Sequence, residues 1–326
     1  MNMKTTAVKL REQGSAEKMQ LEEVELNAPG AGEVLLVQTA IGLNYMDVYQ
    51  RSGYYPLDLP SGLGLEAAGK VLEIGPGVED VAVGDRVVYG PVLGAYAHHR
   101  LAPAARMIKI PDSISDEVAA AVLMKGMTVE YLMCRTYPVR AGENVLFHAA
   151  SGGVGHLAGQ WGKHIGARMI GVTSGEENCK RILQQGYSDA VDRTSDDIAA
   201  RVREITDDAG VAVVYDSVGK ASFDASIASL SPRGYFISFG ATTGEAPAVS
   251  PSTLQHNGSL YFCRPTLANY VATREDLVHS ANAVFDLVSK GVLDVSIDQT
   301  HPLNEVASVH EAFESGNTTG STLLIP

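Results

Sequence analysis

The order of apolar and polar positions gives the chain two textures. In the first third the apolar runs are short. "GEVLLVQTAIGLN" (32–44) alternates and is rich in Val, Leu and Ile, and "EAAGKVLEIGPGVEDVAVGDRVVYG" (66–90) is cut by Gly-Pro-Gly and Val-Gly-Asp turns. Short strands broken by turn residues predict a small barrel-like domain. The texture changes near Pro111. In "DSISDEVAAAVLMKGMTVEYLM" (112–133) Ser115 is a candidate N-cap, Asp116 and Glu117 suit the first turn, and the apolar stretch behind them predicts a helix. Strand and helix patterns then alternate through "NVLFHAA" (144–150), the stretch after Gly155, "RMIGVT" (168–173), "ENCKRILQQG" (177–186), "AVD" (190–192), "SDDIAARVREIT" (195–206), "VAVVYDSV" (211–218), "FDASIASL" (223–230) and "GYFISFG" (234–240). Near-continuous apolar strands joined by helices predict a parallel, doubly wound α/β sheet. The tail carries helical patterns over 274–291 and 305–316 and a last strand, "STLLIP" (321–326). The expected organisation is a β-rich domain built from 1–123 and 266–326, interrupted by a Rossmann-type domain over 124–265.

Composition narrows the function. Hydrophobic residues make up 45% and charged residues 19% of 326, ordinary for a globular protein with a substantial core. The net charge of −13 argues against broad contact with nucleic acid or an anionic membrane. Cys134, Cys179 and Cys263 are too few and too scattered for a disulfide framework or a cysteine-type zinc site. The start, "MNMKTTAVKLREQG", lacks an apolar h-region, and no apolar run is long enough to span a bilayer, so a cytoplasmic protein is expected.

The candidate chemistry lies in "HAASGGVGHLAGQWGKHIGA" (148–167). A glycine cluster here follows a predicted strand and opens a predicted helix, the context of a dinucleotide fingerprint. Aligned to G-x-G-x-x-G it runs Ala150-Ser151-Gly152-Gly153-Val154-Gly155, with Ala150 in place of the first glycine. Gly152 would let a pyrophosphate approach the backbone, and Gly155 would let helix and strand pack closely. The end of the next strand holds Thr173 and Ser174, where NAD-selective sites place an acid. That leaves room for a 2′-phosphate. Glu176 and Glu177 follow closely and would repel it if they faced the pocket. The reading favours NADPH, with NADH as the alternative.

Several ordered stretches carry a family likeness: "GLNYMDVYQRSGYYP" (42–56), "GLEAAGKV" (64–71), "VGDRVVY" (83–89), "LMKGMTVEYL" (123–132), "AASGGVG" (149–155), "VVYDSVG" (213–219) and "GSLYFCRPTL" (258–267). On these the chain resembles the quinone oxidoreductase (zeta-crystallin-like) family, the zinc-free branch of the medium-chain dehydrogenase/reductase superfamily. The resemblance implies a GroES-like fold for the β-rich domain and hydride transfer from NADPH to a quinone. Zinc-dependent relatives place a Cys and a Gly-His-Glu where this chain has Asn44 and Gly64-Leu65-Glu66. No zinc is therefore expected. Without a Lewis acid to hold an alkoxide, the suited acceptors are those activated by conjugation.

The resemblance also implies site residues. Asn44 and Thr128 flank the nicotinamide; Ser217, Phe239, Gly240 and Arg264 line the cofactor; Tyr49 and Tyr55 line the acceptor cleft. Asn44, Tyr49, Tyr55 and Arg264 are the candidate catalytic groups, the first three as hydrogen-bond donors to a developing oxyanion. Ser151, Gly152, Gly153, Val154, Gly155, Thr173, Ser174 and Arg193 are the candidate dinucleotide contacts. Relatives have a lysine at Asn178, a tyrosine at Arg193 and often an arginine at Gly316, so Arg193 and Lys180 are the candidate replacements for the 2′-phosphate. An edge strand near 258–264 implies a homodimer. Two other readings stay open. One is an NAD(P)H-dependent reductase of enones or acrylates, with Arg264 or Arg51 facing an anionic substrate. The other is a non-enzymatic crystallin-like or RNA-binding role.

Overall fold

The computed structural model describes residues 3–316 and 318–326. It forms two compact units: Met1–Lys125 with Ala272–Ser289 and Val295–Pro326, and Gly126–Val271 with Lys290–Asp294.

The first unit begins with an antiparallel pair, β1 (Met3–Leu10) and β2 (Met19–Leu26). Next come β3 (Glu33–Gly42), α1 (Tyr45–Ser52), β4 (Glu66–Ile74), β5 (Arg86–Tyr89), β6 (His99–Pro103) and β7 (Ile108–Lys109). α2 (Asp116–Glu130) starts where the capping signal lies, with the Val118 amide donating to Ser115 Oγ at 3.2 Å. Its regular turns stop at Glu130, and Tyr131–Thr136 continue as a π-helix, a widening that the apolar pattern does not reveal.

The second unit alternates β8 (Asn144–His148), α3 (Gly153–Ile165), β9 (Arg168–Thr173), α4 (Glu176–Gln184), β10 (Asp189–Asp192), α5 (Ile198–Ile205), β11 (Val211–Asp216), α6 (Phe223–Ser229), β12 (Leu230–Ser238), α7 (Pro251–His256), β13 (Tyr261–Cys263) and α8 (Leu267–Tyr270). The chain then returns to the first unit with α9 (Arg274–Ser289), β14 (Ile297–Pro302), α10 (Val306–Glu314) and β15 (Ser321–Ile325).

Each unit is built on one main sheet. In the first unit the order is β14-β15-β3-β4-β5-β7, with β6 also pairing β3. Its core gathers Val34, Leu36, Val71, Val87, Tyr89 and Leu324 from the strands and Val306 and Val309 from α10. In the second unit the order is β10-β9-β8-β11-β12-β13, all parallel. Counted from β8, this is the doubly wound order 3-2-1-4-5-6, which reverses between β8 and β11. Ligands bind beyond the strand ends at such a reversal. The strands are apolar throughout because helices cover them: Leu146, Ile170, Val172, Val214 and Phe236 are at most 1% exposed. Each such side chain contributes roughly 1.5–3 kcal/mol on burial.

Candidate functional site

Because all the strands of the second sheet run the same way, their carboxyl ends share one edge. That edge collects most of the residues singled out by sequence. Ser151–Gly155 follow β8, Thr173 ends β9, Arg193 follows β10, Ser217 follows β11, Phe239 and Gly240 follow β12, and Arg264 follows β13.

The turn after β8 is tight. Ala149 takes a left-handed φ of 54°, and its carbonyl accepts the Gly152 amide at 3.0 Å. Gly152 is the N-cap of α3 and brings no side chain to it. The first-turn amides therefore face outward without a protein cap, a ready site for an anion. A Cβ on Gly155 would stand 2.5–2.6 Å from the backbone of Ala149 and Ala150, so only glycine allows α3 to cross the strand end. A Cβ on Gly152 would meet nothing closer than Ala149 O at 3.3 Å, so its bareness is not demanded by packing. Ser151 Oγ and Thr173 Oγ1 lie 2.8 Å apart beside the turn. These features fit a dinucleotide phosphate on observations independent of any motif.

The second half of the edge is braced from beneath. Asp216, fully buried, accepts from the Val218 and Gly219 amides and from Ser222 and Ser226 hydroxyls at 2.6–3.0 Å. With its proton given to Asp216, Ser226 accepts from His148 Nε2 at 3.0 Å. Burial holds the His148 imidazole below its usual pKa, hence neutral, and the trio is a brace and not a nucleophilic triad. It fixes the Ser217 turn, against which Gly240 packs so closely that a Cβ there would lie 2.5 Å from Ser217 O. Arg264 is exposed and donates to Ser238 O at 2.9 Å.

At the adenosine end, Asn178 donates to Ser174 O, and Lys180 pairs with Glu176 at 2.6 Å on the exposed face of α4. Glu176 is 82% exposed on its side chain. The exposed Arg193 donates its amide to Thr173 O at 2.9 Å, next to the hydroxyl pair. Gly316 supplies no side chain.

In the first unit, Asn44 is the N-cap of α1 and is held on several sides. Its Nδ2 donates to Glu66 Oε2 at 2.9 Å and to Gly42 O at 3.3 Å. Both amide hydrogens are thereby used; Oδ1 faces the Asp47 amide in a capping box, and its second lone pair is what Asn44 can offer a ligand. Glu66, fully buried, also accepts from the Met124 amide at 2.5 Å and lies 4.0 Å from Lys125 Nζ. Burial raises the Glu66 pKa against the pull of Lys125, and lowers that of Lys125 against the pull of Glu66. Leu65, at the position a zinc-binding relative gives to histidine, is buried and offers no ligand atom. Among the described residues no cluster of three or more His, Cys, Asp or Glu is placed to hold a metal ion.

Tyr49 is 9% exposed, and its ring lies 4.8–5.6 Å from those of Tyr45, Tyr54 and Tyr55. Tyr55 is half-buried, in a loop that Gln13 ties down by donating to the Gln50 and Tyr55 carbonyls. Thr128 is half-buried on α2. Arg51, 2% exposed, donates to Gly14 O and Glu314.

Sequence reasoning missed Glu66, Lys125, Asp216 and His148, and also Asp47, whose Oδ2 accepts from the Asn44 amide at 2.9 Å. A signal existed for two of them. Glu66 in "GLGLEAAG" and Lys125 in "VLMKGM" are single charges inside apolar runs, and a buried charge needs a partner.

Comparison with known proteins adds to this geometry. Residues 30–112 match the alcohol dehydrogenase GroES-like domain, and residues 153–264 match a domain described as zinc-binding dehydrogenase. A quinone oxidoreductase of Salmonella typhimurium is 43% identical over 98% of this chain and 99% of its own. A 2-haloacrylate reductase of a Burkholderia species is 40% identical over 98% of each. The structure of an Escherichia coli quinone oxidoreductase complexed with NADPH superposes with a TM-score of 0.96 at 41% identity, covering 98% of this chain and all of that one.

Proposed function

The chain belongs to the quinone oxidoreductase family, and from that premise we propose that it reduces quinones by hydride transfer from NADPH, without zinc. The observation that carries the reading is the bare, uncapped turn at Gly152, set at the reversal point of the sheet beside the Ser151–Thr173 hydroxyl pair. NADPH, when bound, supplies the hydride. The amides of 153–155 would hold the pyrophosphate, Ser151 and Thr173 the ribose, and Arg193 the 2′-phosphate. Asn44 Oδ1 would accept from the nicotinamide carboxamide. We assign Asn44 to the cofactor in preference to the oxyanion, because its amide hydrogens are engaged by Glu66 and the Gly42 carbonyl. Negative charge growing on the acceptor oxygen is met by the Tyr55 hydroxyl, and the final proton comes from that phenol or from water. Neither an amide nor a leucine is a zinc ligand, which supports chemistry without the metal.

The 2-haloacrylate reductase relative favours a second reading, reduction of an activated alkene. In that reading Arg264, exposed just after β13, is the cation that would meet an anionic acrylate. Oxidation of NADPH and NADH, followed against panels of quinones, enones and acrylates, decides between the readings. No turnover of any of them would leave a non-enzymatic role. Elemental analysis showing about one zinc per chain, with activity lost to a chelator and restored by zinc, would overturn the zinc-free mechanism. We also propose a homodimer through β13, the edge of the parallel sheet, where Tyr261 is 52% exposed. Sedimentation as a monomer at micromolar concentration would refute it.

A further inference from the structure

We propose that Asp47, Tyr96 and His310 form a buried proton chain whose state sets the hold on Asn44. Asp47 Oδ2 accepts from the Asn44 amide and from the Tyr96 hydroxyl, each at 2.9 Å. Having donated to Asp47, Tyr96 accepts from His310 Nε2, also at 2.9 Å. All three side chains are within 1% of full burial. Gly64 makes the room: a Cβ there would stand 2.2 Å from the Tyr96 ring.

The two ends of the chain are incomplete. Asp47 Oδ1 and His310 Nδ1 are buried with no hydrogen-bond partner. A buried acceptor without a donor is costly and calls for an explanation, and a change of protonation along the connected network supplies one for His310 Nδ1. The network has two consistent arrangements. In the first, Asp47 is ionised, Tyr96 donates to it, and His310 donates from Nε2. In the second, a proton from water has entered at His310 Nδ1. The Nε2 hydrogen has moved to the Tyr96 oxygen, and the Tyr96 hydrogen has moved to Asp47 Oδ2. One proton is gained, and each hydrogen shifts by one place. The carboxyl now donates to Tyr96, and its hold on the Asn44 amide loses the assistance of charge.

The surrounding charges leave both arrangements within reach. Burial dominates at Asp47 and raises its pKa to about 7, with Glu66 of β4 pushing the same way. The Asn44 amide, Tyr96 and Lys125 of α2 oppose it. His310 on α10 is driven down to about 3 by burial and by Arg51, so it passes a proton on without keeping one. Arg51 is itself paired with Glu314 of α10. Burial and Asp47 hold Tyr96 well above its usual range, so its proton moves only as another replaces it.

Only the consequence for turnover rests on the reductase reading. The chain is therefore tested first on cofactor-free protein. With 13C-labelled Asp and 15N-labelled Asn, one aspartate carboxyl should titrate with a midpoint near 7. The Asn44 amide signal should move with the same midpoint. Both changes should vanish in Asp47→Asn. In Tyr96→Phe the midpoint should rise, because a donor to the carboxylate is lost. An Asn44 amide that ignores the carboxyl titration, or aspartates that all titrate in the ordinary range, would overturn the proposal. In turnover, wild type should lose activity about tenfold on the acid side of the same midpoint. Asp47→Asn should sit near the low level throughout. An acid limb that survives in Asp47→Asn overturns the proposal too. Absence of any reductase activity alongside the coupled titration removes the reductase reading and leaves the proton chain standing.

Discussion

Replacing Gly152 or Gly155 by alanine separates ligand binding from packing at the same turn. Gly152 has φ −76° and ψ 169°, which alanine adopts freely, and its new Cβ would touch only Ala149 O at 3.3 Å. The backbone gain from Gly→Ala and this tight contact oppose each other, so stability should change by less than about 1 kcal/mol. The methyl group would, however, occupy the surface that a pyrophosphate approaches. Disturbing charge-assisted bonds to the helix amides costs roughly 1.5–3 kcal/mol. NADPH should therefore bind about 10- to 100-fold more weakly. Gly155→Ala behaves differently. Its Cβ would lie 2.5–2.6 Å from backbone atoms of Ala149 and Ala150, which cannot rotate away as a side chain does. Forcing α3 off the strand end should cost about 3 kcal/mol, which lowers the melting temperature by roughly 6–12 °C. Scanning calorimetry reads the first quantity, and titration of NADPH by calorimetry or fluorescence reads the second. A folded Gly152→Ala protein that binds NADPH as tightly as wild type would show that no phosphate rests on this turn. A Gly152→Ala protein as unstable as Gly155→Ala would show that the bare N-cap serves packing alone.

Three further outcomes are expected. Arg193→Ala should weaken NADPH about 10- to 100-fold, as loss of a charged hydrogen bond to phosphate predicts, while barely changing NADH; equal loss for both would assign Arg193 to folding. Tyr55→Phe should lower turnover about 10- to 1,000-fold, within the range of oxyanion-donor deletions, and unchanged turnover in both Tyr55→Phe and Tyr49→Phe would reduce the tyrosines to cleft walls. Asp47 takes up its proton more readily when folded, at about 7 against 3.8 in the unfolded chain, so its contribution to stability is present in acid and fades as pH rises between those values. Chemical denaturation across that range should show Asp47→Asn gaining on wild type with rising pH, by up to about 4 kcal/mol; a difference independent of pH would mean that the carboxyl ionises without cost.

Much of the second unit was legible because its signals are local. A strand of Val and Ile, a run of glycines and an amphipathic helix all fall within one stretch of chain, and parallel order follows from their alternation. The carboxyl edge with Ser151, Thr173, Ser217 and Phe239 then follows from topology. Boundaries were less legible. Sequence placed the junctions after 123 and 265, whereas the compact units divide at Lys125 and Val271, with Lys290–Asp294 returning to the second unit. β14, with its half-exposed pattern, carries no strong strand signal and was not foreseen.

By itself the sequence determined the fold class, the glycine turn, the missing zinc ligands and the family. Only the tertiary structure decided what each polar group has left to offer. The amide of Asn44 is engaged by Glu66, from a different strand. Arg51 is buried against Glu314, far along the chain. Lys180 is paired with Glu176 on the exposed face of α4. Asp47, Tyr96 and His310 are ordinary residues at distant positions until the fold buries them together. The physical reason is that backbone preference and amphipathic period act over a few residues. Desolvation and hydrogen-bond satisfaction depend instead on which neighbours the folded chain supplies.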